Sequence, residues 1–386
     1  MRTLGSFKYR DGLFLVFVVV SCFGILELLL RTFVFDPSAA YIRTPGWAMQ
    51  VRDNGLLPNV SEEYLYMANK LGIRGDVTKF SANPKIAVIG GSTVEDWVLP
   101  ESKTWSQQLA VQLADCEPDI WVANLGKGGV NARHHLIQLP EVEKYMPHFD
   151  KFVVLLGLND FLYDLHIHHP TVTPENWWRR QAFMYDRYDE GWFASVVISK
   201  RLFRRFVAEK NLERPVSDFG NYQKSLRDAY SRVASDQWVD ALPDLTEHLI
   251  NFRKTILALN AYSVSYGAQM VFVTQPYVWS DNLSNETRAQ IYAGFIGADM
   301  SSPTTKWYKT SALEKGLAAY NAMLLDTCRE YGLSCVDAAQ ILSGHPGFFY
   351  DDFHFSSLGA ASIGRVVAAE LRRGLGRCKK SLENLP

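Results

Sequence analysis

The chain has 386 residues, 47% of them hydrophobic and 21% charged, with a formal net charge of −1. This balance excludes bulk disorder, and the near-neutral charge gives no footing for nucleic acid as a partner. The length accommodates one large domain with additions, or two domains.

The first element is an apolar run. Residues 13–30 are apolar except for Ser21, Cys22, Gly24 and Glu27, and the run resumes over 32–35. A stretch of about 20 apolar residues can span a bilayer as a helix, so 13–35 is expected to be a transmembrane signal anchor. Arg2, Lys8 and Arg10 place residues 1–12 in the cytoplasm and the rest outside it, an extracytoplasmic or periplasmic address. Glu27 is costly in hydrocarbon, and Arg31 could pair with it near the far interface. Two other readings stay open: a signal peptide cleaved near Ser38-Ala39-Ala40, and a lipoprotein signal, since Val19-Val20-Ser21-Cys22 resembles a lipobox. The run is longer than the roughly 7–15 residues of a secretory signal and continues past Cys22, which favours the retained anchor.

Residues 36–80 read as an irregular approach segment, with Pro37, Pro45 and Pro58 among scattered aromatics. The main domain is placed at 81–376. Five short apolar runs in it read as buried strands: 86–89, 121–123, 152–156, 270–274 and 334–336. Helical patterns occupy 105–113, 242–266, 311–331 and 358–371. The alternation predicts a parallel sheet with helices on both faces, and a ligand site beyond the carboxyl ends of the strands. The third and fourth strands are separated by an insert at about 161–243, rich in Trp, Tyr, Phe and Arg. Residues 377–386 form a tail.

The segments after the strands carry the candidate chemistry. Gly90-Gly91-Ser92-Thr93 follows the first strand, where two glycines permit a sharp turn that presents the Ser92 hydroxyl. Asn124-Leu125-Gly126-Lys127-Gly128-Gly129 follows the second, where a glycine lets a backbone amide approach a substrate oxygen. Gly157-Leu158-Asn159-Asp160 follows the third, and the Asn159 amide could donate to an oxyanion. Asp351 and His354 precede the last helix. A carboxylate three residues ahead of a histidine can bond one ring nitrogen and leave the other for a serine. Asp352 competes for that role, with a spacing that suits it less. Read singly, each block has an ordinary alternative: a common turn at Ser92, a strand-to-helix turn at Gly129, a helix cap at Asn159, a surface histidine at His354.

Taken together and in this order, the blocks resemble the SGNH hydrolases, also called GDSL-type esterases. Ser92, Gly129, Asn159 and His354 stand at the positions that give the family its four letters. The resemblance covers about 84–160 and 244–372. Gly91 stands where the Gly-Asp-Ser-Leu form has aspartate, a residue that is not the triad acid. The resemblance implies a flavodoxin-like three-layer α/β/α sandwich with a five-stranded parallel sheet. It also implies ester hydrolysis through a Ser92–His354–Asp351 triad, an oxyanion hole from the Ser92 amide, the Gly129 amide and Asn159, and no metal or organic cofactor.

Several features have less definite meaning. Of five cysteines, Cys328 and Cys335 flank a helix end and a strand start and suit a bridge, while buried free thiols suit the pattern equally. His166, His168 and His169 read as loop histidines rather than ligands. His134 and His135 could line the site rim or lie on the surface. Residues 193–210 read as a basic helix, preceded by Trp177, Trp178 and Trp192, that could touch anionic lipid, cover the site, or pack on the domain. The address suggests an O-acetylated envelope glycan or a lipid as the ester substrate. An SGNH-like O-acyltransferase would use the same residues. A tethered glycan-binding or scaffold protein with an idle site is the third reading.

Overall fold

The computed structural model describes residues 9–30, 43, 46–58, 60, 63–75, 81, 83–144, 146–167, 195–196, 198–199, 216–296, 305–373 and 378. The apolar run forms helix α1, Tyr9–Leu29, 21 residues long. It exposes large apolar side chains, among them Phe14, Phe17, Val20 and Ile25. Glu27 accepts hydrogen bonds from the Ser195 amide at 3.2 Å and hydroxyl at 3.1 Å; Arg31, its expected partner, lies outside the described residues. Among the described residues no helix is long and apolar enough to cross a membrane. The expected run is therefore helical, but the transmembrane span expected over 13–35 is not found among the described residues.

The approach segment is not irregular. Residues 48–52 (Ala48–Arg52, β1) and 63–67 (Glu63–Met67, β2) are strands that pair antiparallel. Their outward residues are mixed in character, so no strong alternation marks them in the sequence. The main domain then runs β3 (Lys85–Ile89), α2 (Ser92–Glu95), α3 (Trp105–Leu113), β4 (Trp121–Asn124), α4 (Ala132–Glu143), β5 (Lys151–Leu156) and α5 (Leu158–Ile167). Beyond the segment that follows α5 come β6 (Val216–Asp218), the helix Phe219–Ser231, β7 (Trp238–Val239), the helix Thr246–Tyr266 and β8 (Gln269–Thr274). The strands β9 (Phe295–Ile296) and β10 (Lys306–Tyr308) precede the helix Thr310–Tyr331, β11 (Ser334–Val336), the short helix Ala338–Leu342 and the closing helix Ser357–Arg372.

The central sheet has the order β11-β8-β5-β3-β4, and all its pairs are parallel. Counted along the chain, its five strands lie in the order 2-1-3-4-5, the flavodoxin-like arrangement. Ile86, Ala87, Val88 and Ile89 are all buried, as continuous apolar runs must be when helices cover both faces. One face carries α3, Ala338–Leu342 and Ser357–Arg372; the other carries α4, α5, Thr246–Tyr266 and Thr310–Tyr331. The helix starts are capped as their sequences allow: Thr104 accepts from Gln107 N, Asn131 from His134 N, and Ser356 from Gly359 N. Thr246–Tyr266 and Thr310–Tyr331 both end on a left-handed glycine, Gly267 and Gly332. The pattern expected to begin at 242 starts at 246, because Pro243 precedes it.

Two smaller sheets flank the core. One has the order β2-β1-β6, so the far end of the insert returns to pair with the approach segment, Gln50 opposite Val216. The other has the order β7-β10-β9. Cys328 and Cys335 form a disulfide. A second disulfide, Cys116–Cys378, was not anticipated and ties the end of α3 to the tail. Among the five cysteines Cys22 alone is free. The basic helix expected over 193–210, the tryptophans before it, and His168 and His169 lie outside the described residues, apart from 195, 196, 198 and 199; of the His166 side chain nothing is described.

Candidate active site

The crossover between β3 and β5, where the strand order reverses, sets the site. Ser92 begins α2 directly after β3, and Asn159 is the second residue of α5 after β5. Such a switch point opens a crevice at the carboxyl ends of the strands.

A four-residue helix cannot satisfy its own C-terminal carbonyls, and the fold supplies side chains for them. Trp105 Nε1 donates to Thr93 O at 3.0 Å, and Asn124 Nδ2 to Val94 O at 2.8 Å. Arg74 Nη1 donates to Glu95 O at 2.8 Å and Asp96 O at 2.5 Å, while Nη2 reaches Leu99 O at 2.6 Å. The Arg74 side chain is buried, and its Nε pairs with Glu101 at 3.1 Å. Thr93 Oγ1 donates to Gln275 Oε1 at 3.0 Å, which ties the same turn to the end of β8.

His354 arrives on a loop closed at its base. Phe349 and Phe355 form an antiparallel bridge with stacked rings, and Tyr350 N donates to His354 O at 3.1 Å. The Tyr350 ring lies parallel to the imidazole with centroids 5.5 Å apart, and Phe353 packs at 4.6 Å. Within this frame His354 Nε2 lies 2.8 Å from Ser92 Oγ, and Nδ1 lies 2.8 Å from Asp351 Oδ2. The other Asp351 oxygen accepts from the amides of Phe353 at 3.1 Å and His354 at 2.9 Å. A carboxylate with two amides on one oxygen presents its other oxygen as an acceptor to Nδ1–H, leaving the Nε2 lone pair toward the serine.

Asp352, the competitor, turns the other way. Its oxygens accept from Trp279 Nε1 at 2.7 Å and from the amides of Tyr292 at 2.8 Å and Ala293 at 3.1 Å. Burial raises its pKa to about 7, and the neighbouring Asp351 adds to that rise. The chain bends over Tyr350–Phe353, and the Asp351 carboxylate folds back on the amides of Phe353 and His354 beside the imidazole, while that of Asp352 is taken up by Trp279, Tyr292 and Ala293.

Gly129 adopts φ +80° as the third residue of the turn Lys127–Val130, a conformation that favours glycine. Tyr163 Oη donates to its carbonyl at 2.7 Å. The Asn159 amide donates to Val130 O at 2.6 Å, and it also lies against Gly91. It does not cap a helix, because it sits inside α5. An amide nitrogen carries two N–H groups, so one remains for another acceptor. A small cavity of about 10 Å³ beside these groups is lined by Gly91, Val130, Gly157, Asn159, Asp160 and Gln275, among others. Asp160 accepts from Ala132 N at the start of α4, and burial raises its pKa to about 7.

His134 and His135 neither line a rim nor sit on the surface. His134 is buried, and its Nδ1 accepts from Asn131 N at 3.0 Å, completing a capping box for α4. His135 is buried and bonds Gln138 Oε1 at 2.7 Å. Among the described residues no cluster of His, Cys, Asp or Glu could hold a metal ion.

Glu95 is a further residue of the site that no motif in the sequence marks. Its carboxylate is buried within the turn that begins at Ser92 and receives Arg43 Nε at 2.8 Å, Arg43 Nη2 at 3.2 Å, Tyr66 Oη at 2.7 Å and Gly128 N at 2.7 Å. The approach segment thus reaches the site through Arg43, Tyr66 and Arg74. The one sequence signal was a pair of acids, Glu95 and Asp96, embedded in an otherwise apolar turn.

Residues 88–361 match the GDSL-like lipase/acylhydrolase family. No curated protein matches the chain. Among solved structures, an alpha/beta hydrolase from the metagenome of Lake Arreo in Spain shares 13% identity over 78% of this chain and 98% of its own, with a TM-score of 0.41. A lipase/acylhydrolase from Enterococcus faecalis shares 13% over 77% and 99%, with a TM-score of 0.38. An acetylxylan esterase from Geobacillus stearothermophilus shares 13% over 76% and 96%, also at 0.38. These likenesses are distant, and the assignment rests on the sequence match. That match spans most of the chain, from β3 to the closing helix, and by it the chain belongs to the GDSL-like lipase/acylhydrolase family, the SGNH class of ester-bond hydrolases.

Proposed function

We propose that the protein is a membrane-anchored, extracytoplasmic serine esterase with Ser92 as nucleophile, His354 as general base and acid, and Asp351 as the group that orients it. The observation that carries this reading is the unbroken chain of 2.8 Å contacts from Ser92 Oγ through the imidazole to Asp351. In the first step the Ser92 Oγ–H proton passes to Nε2 as Oγ bonds to the ester carbonyl carbon. The carbonyl electron pair moves onto oxygen, which the amides of Ser92 and Gly129 and the Asn159 side chain hold. Collapse of this intermediate breaks the bond to the alcohol, which leaves with the proton from Nε2. Water, deprotonated by His354, then releases the acyl group by the same steps in reverse.

The address rests on separate support. Helix α1 exposes apolar side chains along its length, and the basic residues Arg2, Lys8 and Arg10 at its N-terminal end suit a signal anchor. Two disulfides suit an oxidising compartment. An enzyme held there would meet O-acetylated glycans and lipids, which we propose as its substrate class.

The test is hydrolysis of an aryl acetate and of acetylated polysaccharide by the full chain in detergent, beside Ser92→Ala. Turnover should vanish in the variant, and a fluorophosphonate should label only the parent. Parent-rate hydrolysis by Ser92→Ala would exclude the reading. Acetyl transfer to an added glycan in preference to water would replace it with the acyltransferase. Release of the chain from membranes by alkaline carbonate would exclude the anchor.

A further inference from the structure

The peptide that carries the Gly129 amide is held from both sides. The amide of the preceding peptide, Gly128 N–H, donates to Glu95 Oε2 at 2.7 Å. The carbonyl of the following peptide, Gly129 C=O, accepts from Tyr163 Oη at 2.7 Å. One residue further on, Val130 O accepts from Asn159 Nδ2 at 2.6 Å. These bonds, with the Lys127–Val130 turn closed by Val130 N–H donating to Lys127 O at 3.4 Å, confine the loop that carries the Gly129 N–H, and two of the groups that hold it, Glu95 and Tyr163, are not among the proposed oxyanion donors. Tyr163 and Asn159 belong to α5. Glu95 belongs to the turn that starts with Ser92, so one carboxylate relates the donor loop to the nucleophile.

Glu95 is fixed in turn by the approach segment. The Arg43 guanidinium meets it through two nitrogens, and Tyr66 Oη donates to the same oxygen as Arg43 Nε. The guanidinium lies 4.9 Å from the Trp97 ring centroid and 5.5 Å from that of Trp47, so aromatic faces hold the cation in place. Burial alone would raise the Glu95 pKa. The Arg43 charge and hydrogen bonds, with the Tyr66 and Gly128 bonds, overcome this and hold it below the usual carboxylate range. An ionised acceptor on Gly128 N is stronger than a neutral one.

We propose that Glu95 is a positioning residue that aims the Gly129 amide at the oxyanion, with Arg43 and Tyr66 holding the carboxylate in place. This rests on the assignment of Ser92 as nucleophile and Gly129 as oxyanion donor. A misaimed donor weakens the transition state and not the bound ester, so the loss should fall on kcat.

The experiment measures steady-state hydrolysis of an aryl acetate by the full chain in detergent for Glu95→Gln, Glu95→Ala and Tyr66→Phe. Glu95→Ala should lower kcat about 100-fold and Glu95→Gln, which keeps a neutral acceptor for Gly128 N, about 10-fold, with KM within about twofold in both. Tyr66→Phe, which removes one bond to the carboxylate, should lower kcat about threefold. A boronic acid, which mimics the tetrahedral state, should lose affinity in proportion to kcat/KM. Parent kcat in a folded Glu95 variant, or a loss lodged wholly in KM, overturns the proposal. Should the alanine variant not fold, Glu95→Gln and Tyr66→Phe decide by the same criteria. Ser92→Ala separates the two readings: full activity there ends the hydrolase assignment, whereas its inactivity beside a fully active Glu95→Gln ends this proposal alone.

Discussion

The Asn159 side-chain nitrogen occupies the place that a Cβ at residue 91 would take: an ideal Cβ on Gly91 lies 2.3 Å from Nδ2, with Val130 O a further 3.3 Å contact. The amide cannot retreat freely, because it also donates to Val130 O. Gly91→Ala should therefore displace the amide and lower kcat by about 10²–10³, the scale of losing one oxyanion donor. Asn159→Ala should do the same. The double variant should cost little more than either single, since both remove one interaction. Kinetics over this cycle check the relationship, and full additivity would refute it. Aspartate at 91, as in the Gly-Asp-Ser-Leu form, would need the same displacement.

The two adjacent acids of the His354 loop should separate by phenotype. Asp351→Asn keeps a similar shape but can present an N–H where Nδ1–H needs an acceptor, and kcat should fall by about 10³–10⁴. Asp352→Asn replaces one of two carboxylate oxygens that both accept, Oδ1 from Trp279 Nε1 and Oδ2 from the amides of Tyr292 and Ala293. It should lower the thermal midpoint while leaving kcat within about tenfold. Equal catalytic loss in both variants would remove the distinction.

The sheet was legible because fully buried parallel strands leave continuous apolar runs bounded by glycine or polar residues; each of the five observed strands lies within a residue of its expected limits. The four glycine- or acid-containing blocks were legible for a related reason, since each follows a strand or precedes a helix where the fold opens. Glu95 was not legible, because its value depends on Arg43 and Tyr66, 52 and 29 residues away. The approach segment misled for the same reason. Its strand β1 gains its second partner only from β6, across the insert, and no local pattern announces a pairing of that range. His134 and His135 misled because capping and burial, rather than exposure, decide where a histidine beside a helix start will sit.

Arg74 should be a stability residue rather than a rate residue. It serves three carbonyls around the end of α2 and packs 4.7 Å from the Tyr66 ring. Arg74→Ala leaves those carbonyls buried without donors and should cost about 3 kcal/mol or more. Arg74→Lys should recover little, since an ammonium lacks the planar fork that reaches several acceptors at once. Chemical denaturation of the full chain in detergent gives the cost, and a loss below about 1 kcal/mol for alanine would contradict the role.

His135 should set part of the acid limb of stability. Its Nδ1 bonds Gln138 Oε1, and since Gln138 Nε2 donates to Leu125 O, the glutamine oxygen is the acceptor and Nδ1 carries the proton. Nε2 is buried with no hydrogen-bond partner among the described residues. Burial lowers the folded pKa from 6.5 to about 4, with His134 nearby adding to the fall. Between these values the unfolded chain binds the proton that the folded chain refuses. Stability from this group is therefore complete above pH 6.5 and falls by roughly 3 kcal/mol as the pH drops toward 4. Asp160 and Asp352, with pKa values raised to about 7, act in the opposite direction over part of the same range. The parent curve alone thus cannot isolate the histidine. The difference between the parent and His135→Asn, which keeps a donor near the Nδ1 position, can. That difference should shrink steadily from pH 7 to pH 4 in denaturation midpoints, and a pH-independent offset would show that His135 does not titrate on unfolding.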